Sequence, residues 1–186
     1  MNSPLAKSPI AWEIDVRRLP EKGMPVRISA DARQRALLAD IHDLMAVDSL
    51  EADLLVRAWR RDGVKVSGRV TAKIVQRCIV SLQPVNAEID TDVEALFVPE
   101  GSRLARPELD EGGEILLSAE GPDAPEPFEG DRIDVGAVAE EFFALAIDPY
   151  PRAAGAEEAA SYSTEAGSGG DEKPFAALRK LSKIRR

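Results

Sequence analysis

The sequence predicts an α+β fold: a curved, barrel-like antiparallel β-sheet packed by two helices, with an acidic loop insertion and a tethered basic C-terminal helix. Apolar and polar residues alternate over residues 49–98, the period-two pattern of strands with one buried face. Apolar residues recur at spacings of three and four over residues 31–45 and 135–147, which is typical of amphipathic helices. The 186 residues are 44% hydrophobic, enough for the core of one ordinary domain.

Before the first helix, the sequence predicts a flexible start and two short strands. Residues 1–10 carry two prolines and small polar side chains, which favour a loose segment. Residues 12–16 alternate apolar and charged side chains, and Val26 and Ile28 repeat that spacing. Each pattern is typical of a half-buried strand.

The first helix is predicted to begin at Asp31 and to end before Val47. The Asp31 carboxylate suits the positive end of the helix dipole. His42, the single histidine, is expected at the surface or boundary of the domain rather than in a catalytic or metal site. One apolar helix face is expected to pack on the sheet and comprises Leu37, Leu38, Ile41, Leu44 and Met45.

The central strands carry the strongest β pattern. Asp62-Gly63 is a favoured hairpin dipeptide, and it separates a strand at residues 50–57 from a long strand at residues 64–74. Residues 76–83 continue the extended pattern until Pro84 interrupts it, and residues 85–97 form the next strand.

The polar faces of these two long strands carry opposite charges. Cross-strand pairs of about 0.2–1 kcal/mol each are expected between Lys65, Arg69 and Lys73 on one strand and Glu88, Asp90 and Asp92 on the next. Unless a bulge intervenes, Arg77 is interpreted as lying on the opposite face from the first three cations.

The C-terminal half predicts an insertion, a second helix and a tether. Residues 99–130 are rich in proline, glycine and acids and are predicted to form an acidic loop insertion with a short strand at residues 115–117; a lid and a disordered insertion both stay open. Asp134 caps a helix that ends before Pro149, with Glu140 and Glu141 facing outward. The predicted segments are a flexible N-terminus at 1–10, an α+β domain at 11–151, a flexible linker at 152–172 and a basic helix or tail at 173–186.

Charge is divided into three blocks along the chain. Residues 1–85 have a balance of +4, residues 86–160 of −16 and residues 161–186 of +3, within a net charge of −9. Different segments are therefore expected to meet different partners. The acidic block repels phosphate and could attract a basic protein, or it could simply keep the domain soluble; both interpretations stay open.

The sequence offers no constellation typical of an enzyme, and no cofactor or small-molecule substrate is expected. No glycine-rich phosphate loop is present. Cys78 is the single cysteine, so an internal disulfide and a multi-cysteine zinc site are excluded, and a buried structural thiol is expected. The longest apolar run, residues 142–147, is far shorter than a membrane span, and residues 1–16 lack the apolar region of a signal peptide, so a cytoplasmic location without membrane contact is expected.

The basic C-terminal segment, residues 173–186, leaves three interpretations open. Phe175, Leu178 and Leu181 share one face of a short predicted helix, with cations around it. Such a helix could contact a phosphate surface, dock into a groove of a partner or of its own domain, or pack on the parent core.

Several short motifs follow one another in an order that points to a protein family, although each motif alone is weak. A V-x-G-x-V strand at residues 66–70 leads to Arg77-Cys78. The remaining motifs are Phe97-Val98-Pro99, Ile133-Asp134-Val135, the LAIDPYP segment at 145–151 and the KPFAAL segment at 173–178. This order resembles the YceD family, also called the large ribosomal RNA accumulation protein family, over roughly residues 10–186.

The resemblance implies a role rather than a reaction. It implies a bacterial, non-enzymatic factor in 23S rRNA accumulation or processing, and hence in biogenesis of the large ribosomal subunit. Many members carry C-x-R-C at this position and a second cysteine pair after the second helix, which together suggest a metal site. Here Val75 replaces the first cysteine and no second pair follows Pro151, so any zinc site is lost, as in a cysteine-poor, α-proteobacterial-like form.

Two binding modes are weighed, beside a third hypothesis, a hydrolase or transferase with an unrecognised site, for which the sequence offers no specific support. The expected partners are large-subunit rRNA, a ribosomal or assembly protein, or both; the alternative is a protein-binding adaptor with no direct RNA contact. The candidate contacts with RNA or a partner are Lys65, Arg69, Lys73, Arg77, Arg179, Lys180, Lys183, Arg185 and Arg186.

Overall fold

The computed structural model describes residues 7–102, 104 and 125–155. Within them the chain forms seven strands and two α-helices, and a short 3-10 turn at Val16–Arg18 follows the first strand. The strands are β1 (Glu13–Asp15), β2 (Met24–Ser29), β3 (Ala46–Trp59), β4 (Gly63–Arg77), β5 (Pro84–Pro99), β6 (Glu126–Phe128) and β7 (Arg132–Asp134), and the helices are α1 (Ala32–Ile41) and α2 (Val135–Leu145). The predicted α+β class with two helices is confirmed for this part of the chain.

The five-stranded sheet is open and mixed. Its order is β2-β3-β4-β5-β6; the first four strands are antiparallel, whereas β6 runs parallel to the end of β5. The strands β1 and β7 form a separate antiparallel pair. The barrel-like, wholly antiparallel sheet predicted from sequence is therefore not confirmed. Because the two helices cover its apolar inner face, the sheet need not close on itself to bury that face.

The core lies between the inner sheet face and the helices. The alternating residues Val66, Val70, Ala72 and Ile74 of β4 are buried, as the period-two pattern predicts. Phe143 of α2 and Leu38 of α1 are fully buried against them in the same apolar cluster. Burial of this continuous apolar surface is the main term that stabilises the fold.

Both helices begin at the aspartates that the sequence indicates. The Asp31 carboxylate accepts a hydrogen bond from the N–H of Gln34, whose side chain accepts one in return from the Asp31 N–H, a reciprocal capping box. The Asp134 carboxylate accepts hydrogen bonds from the N–H groups of Gly136 and Ala137. These contacts satisfy backbone donors that have no partner within the helix.

Two element boundaries differ from the sequence prediction. Helix α1 ends at Ile41 because Asp43 adopts a left-handed backbone (φ 52°) and the N–H of Met45 already pairs with Val75 of β4. Leu37, Ile41 and Met45 are exposed, so the predicted apolar face of this helix is wrong at these positions.

The extended segment predicted for residues 76–83 is a turn beyond Arg77. Strand β4 ends at Arg77 and β5 begins at Pro84. Between them the N–H of Leu82 donates to the carbonyl of Cys78, and Leu82 has a left-handed backbone (φ 60°). Cys78, Ile79 and Val80 are apolar, and residues 78–83 contain no glycine, proline, asparagine or aspartate, so the usual sequence signals of a turn are missing here.

Several predicted segments fall outside the described residues. These are residues 1–6, the strand at 115–117, most of the linker, and the basic segment 173–186. The described residues up to Ala153 belong to one compact unit.

Candidate functional site

The outer face of the sheet carries charged side chains on four neighbouring strands. Side chains alternate between the two faces of a strand, so residues two apart share the exposed face. We call this exposed surface the outer face. Its charged members are Arg27 of β2, Glu51, Asp53 and Arg57 of β3, Lys65, Arg69, Lys73 and Arg77 of β4, and Glu88, Asp90, Asp92 and Glu94 of β5.

Three cations of β4 pair with carboxylates of β5. Lys65 Nζ lies 2.6 Å from Glu94 Oε1, and Lys73 Nζ lies 3.5 Å from Glu88 Oε1. Arg69 Nε lies 2.5 Å from Asp90 Oδ1 and 3.8 Å from Asp92 Oδ1. The predicted pairs of Arg69 and Lys73 are thus confirmed. Lys65 pairs instead with Glu94, which was not among its predicted partners, because the register places Lys65 opposite Leu96 and Glu94 diagonally beside it.

One transverse row crosses four strands with alternating charge. The register aligns Arg27 with Asp53, Asp53 with Arg69, and Arg69 with Asp92. Arg27 also pairs with Glu51 at 3.2 Å, and the hydrogen bond to that carboxylate raises the pKa of Arg27. Arg27, Glu51 and Asp53 were not among the predicted site residues, because only the register brings them beside the β4 cations.

Arg77 lies on the same face as the other β4 cations. Residues 65, 69, 73 and 77 are all odd-numbered, and the β4–β5 register continues without a shift from Val64 to Arg77. The interpretation of Arg77 as lying on the opposite face is therefore wrong. Within the described residues Arg77 forms no ion pair, in contrast to Lys65, Arg69 and Lys73. The remaining predicted contacts, Arg179, Lys180, Lys183, Arg185 and Arg186, lie outside the described residues.

A small cavity adjoins Arg77 at the end of the sheet. Its volume is about 300 Å³. Apolar and polar side chains both line it, among them Met45, Gln76, Arg77, Ile79 and Asp148. The Gln76 side chain is buried and donates a hydrogen bond to the carbonyl of Asp148 (2.7 Å), which fixes the segment after α2 against β4.

His42 joins the two helices. Its Nε2 lies 3.0 Å from Glu140 Oε1, and its ring packs edge-on against Phe143 with centroids 5.4 Å apart. Both polar side chains are largely buried, so the prediction that Glu140 faces outward is wrong, whereas Glu141 is exposed. The contact spans 98 residues of sequence, which is why no local pattern reveals it.

Cys78 is a fully buried thiol, as expected, at the corner after β4. Its Sγ accepts hydrogen bonds from the N–H groups of Ser81 and Ala153, each 3.3 Å away. Hydrogen bonds from Ser81, and then from the Ala153 N–H, lower the pKa of Cys78 to about 6, against the opposing effect of burial. The N–H of Ile79 donates to the carbonyl of Pro151 and ties the same two segments together.

The residues at this corner do not fit a structural zinc site. Such a site takes four nitrogen or sulfur ligands. Cys78 is the only thiol in the chain, and the adjacent Val75 and the residues from Pro151 to Ala153 supply no ligand. Among the described residues no group of three or more potential metal ligands is present. Backbone hydrogen bonds to the sulfur connect the two segments instead.

The fold and its outer face define an α+β domain with a charge-striped sheet surface. The chain belongs to the YceD family, since residues 66–182 match the family described as Large ribosomal RNA subunit accumulation protein YceD. No curated protein and no solved structure matches the chain. Neither helix of the described part is long and apolar enough to cross a membrane.

Family membership identifies a process. The family name implies involvement in accumulation of the large-subunit ribosomal RNA, and therefore in ribosome biogenesis. YceD is not a known enzyme family.

Proposed function

We propose that this protein is a non-enzymatic, cytoplasmic factor in 23S rRNA accumulation or processing and in large-subunit biogenesis, and that it acts by binding. Its partners are rRNA, a ribosomal or assembly protein, or both. Family membership supports the process. The observation that supports action by binding is the charged outer face, where β5 presents four exposed carboxylates beside the cations of β4.

The carboxylates of β5 suit a basic protein. Their side chains are between 56% and 88% exposed, so water screens their pairs with β4 and each pair contributes little stability. A cationic partner can therefore approach the carboxylates at small cost. The acidic balance of residues 86–160 adds a favourable long-range field for such a partner.

The proposed RNA contacts are the β4 cations and the cations of the C-terminal segment. Arg77 is the favoured strand contact because no described carboxylate neutralises it. Lys65, Arg69 and Lys73 would have to exchange a carboxylate for a phosphate. The contacts proposed in the C-terminal segment are Arg179, Lys180, Lys183, Arg185 and Arg186.

The second candidate is a protein-binding adaptor without direct RNA contact. One observation favours it: three of the four β4 cations already pair with β5 carboxylates, and the acids that border them repel phosphate. No cofactor or small-molecule substrate is part of either proposal.

Affinity purification of the tagged full chain from growing bacterial cells, with and without RNase, tests the proposal. Proteins are identified by mass spectrometry and RNA by sequencing, against an unrelated acidic tagged protein. Enrichment of 23S rRNA precursors or large-subunit proteins is expected. If neither is enriched, the proposal is wrong.

The RNase arm and one pair of variants distinguish the two modes. Loss of the ribosomal proteins after RNase indicates an RNA contact, whereas their retention favours the adaptor. Arg77→Gln is expected to reduce RNA recovery in the first mode only. Arg57→Gln, another exposed arginine of the outer face, serves as the matched control.

A further inference from the structure

The charge pattern of the outer face ends on an acidic strand. Across the sheet, Arg27 of β2 is followed by Glu51 and Asp53 of β3, then by the cations of β4 and the carboxylates of β5. Asp53 of β3 lies between two cations, Arg27 and Arg69. Glu88, Asp90, Asp92 and Glu94, here called the carboxylate row, have described cations on one side only.

The strand that bears the carboxylate row is also an edge for most of its length. Strand β5 spans Pro84–Pro99, and its residues 84–97 pair with β4. On the other side, β6 pairs only with Phe97, Val98 and Pro99. Among the described residues nothing else pairs with β5, so residues 84–96 present backbone N–H and C=O groups on an open edge.

The inner face along this edge is apolar and only partly covered. Ile89 and Val93 of β5 are buried on this face, whereas Val85, Ala87, Thr91 and Ala95 point inward but are only half-buried. A further strand would extend this surface with every second side chain. Its remaining side chains would lie on the outer face beside the carboxylate row, because successive side chains alternate between faces.

We propose that the open edge of β5 binds an extended basic segment of a partner protein as an additional strand of the sheet. Backbone hydrogen bonds to residues 84–96 supply the pairing, and lysine or arginine at alternate positions of the segment pairs with the carboxylate row. Small uncharged side chains of the segment cover the inner edge. This inference rests on the proposed function, because it specifies how a basic ribosomal or assembly protein is recognised.

Charge disfavours the two other occupants of this edge. A second copy that paired edge to edge would place two carboxylate rows side by side, and like charges directly opposite one another destabilise strand pairs. The chain's own residues 105–124 contain six acidic side chains and one basic side chain, so they too would add negative charge beside the row.

Amide hydrogen exchange on the isotope-labelled full chain tests the proposal. The probe is a 12-residue peptide of alternating lysine and threonine, and the control peptide alternates glutamate and threonine. In the free chain, the β5 amides that point away from β4 are expected to exchange rapidly. The lysine peptide, but not the glutamate peptide, is expected to slow them.

A pair of matched variants tests the carboxylate row. Glu88→Gln/Asp92→Asn removes two carboxylates at the edge, and Glu51→Gln/Asp53→Asn removes the same two residue types from β3, away from the edge. The edge variant is expected to bind the lysine peptide about two- to thirtyfold more weakly by fluorescence anisotropy. The β3 variant should bind within about twofold of the unmodified chain.

Four results of the peptide experiments would overturn the proposal. The first is no binding of the lysine peptide, and the second is binding that leaves the β5 amides unprotected. The third is protection of the outward amides in the free chain at every concentration, which assigns the edge to the chain itself. The fourth is protection in the free chain that grows with protein concentration, which assigns the edge to a second copy.

Purification from cells separates this inference from the proposed function. If the Glu88→Gln/Asp92→Asn variant still recovers large-subunit components undiminished, the edge site is wrong and the function stands. If the unmodified chain recovers no such components yet the lysine peptide protects β5, the edge site stands and the ribosomal function is wrong.

Discussion

Gly68 permits the close approach of β3 and β4. A Cβ atom at this position would overlap the carbonyl oxygen of Asp53 and lie 2.8 Å from the Cα atom of Leu54. Both obstructing groups are backbone, so neither can rotate away. This steric limit gives a physical reason for glycine in the V-x-G-x-V motif at residues 66–70.

Gly68→Ala is therefore expected to destabilise the domain. Relief of the overlap requires separation of two paired strands, and we expect a loss of about 1–3 kcal/mol in the free energy of unfolding. Urea denaturation followed by circular dichroism measures it. Ser67→Ala, one residue away on the outer face, should change stability by less than about 0.5 kcal/mol. Equal stability of both variants would contradict the steric explanation.

The Cys78 thiol makes stability depend on pH in a defined direction. Its pKa is about 6 in the folded chain, below the ordinary value of 9.0. The folded state therefore binds fewer protons than the unfolded state between these values, and stability rises with pH across the interval. The contribution of the thiolate is complete above about pH 9 and is lost as the pH falls through about 6.

Cys78→Ala should therefore cost more stability at pH 8.5 than at pH 5.5. Urea midpoints of the variant and the unmodified chain at both pH values measure the difference. Absorbance at 240 nm, which reports the thiolate, should rise in the folded chain around pH 6 and be absent from the variant. A thiolate that forms only near pH 9 would contradict the role assigned to the hydrogen bonds from Ser81 and Ala153.

At the scale of elements, the His42–Glu140 contact connects α1 to α2. The two side chains are 84% and 86% buried, from side-chain exposures of 16% and 14%. His42→Ala removes the hydrogen bond and the ring contact with Phe143, and it leaves a largely buried carboxylate without its partner. We expect a loss of about 1–3 kcal/mol in unfolding free energy.

A double-mutant cycle separates this contact from general packing. His42→Ala, Glu140→Ala and the double variant are compared by urea denaturation. Coupling of at least about 0.5 kcal/mol is expected for a direct contact. Glu141→Ala, on the exposed side of the same helix, is the matched control and should be nearly neutral. Additive losses from His42→Ala and Glu140→Ala would show that the contact is not energetically significant.

The sequence predicted elements well where the signal is local. Asp31 and Asp134 mark both helix starts, and the alternation of β4 and β5 fixes which residues are buried. The sequence could not predict which strands pair with one another. The pairing of β1 with β7 joins residues more than a hundred positions apart, and the parallel pairing of β6 follows an insertion of some 25 residues. For the same reason, the sequence could not predict the roles of Glu94 and Arg27 in the outer face or the His42–Glu140 contact, because each depends on residues that are distant in sequence.

At the scale of the whole molecule, charge is separated between a balanced sheet face, an acidic middle and a basic C-terminal segment. The carboxylates of β5 bring negative charge to the edge of the sheet, whereas residues 173–186 carry six cations within 14 residues. Counterion release makes such a cationic segment a strong contributor to nucleic-acid binding. The proposed function therefore predicts that RNA contact depends more on this segment than on the paired cations of β4.

Truncation after Glu172 is expected to weaken association with large-subunit precursors. Sucrose-gradient sedimentation of cell extracts, with immunodetection of the chain, should show it shift from the precursor fractions toward the top of the gradient. Each lost phosphate contact should also reduce the slope of log affinity against log salt by about 0.7–0.9. The slope is measured by binding of purified chain to isolated precursor particles at several salt concentrations.

A full-length variant tests whether the cations of the C-terminal segment, rather than the segment as a whole, are needed for particle binding. It carries glutamine at Arg179, Lys180, Lys183, Arg185 and Arg186, so the apolar residues Phe175, Leu178 and Leu181 remain. If the segment contacts phosphate, this variant should behave like the truncation. If it sediments like the unmodified chain while the truncation does not, the apolar face binds a protein and the adaptor mode gains support. An unchanged profile for both would exclude the segment from particle binding and leave the outer face as the contact.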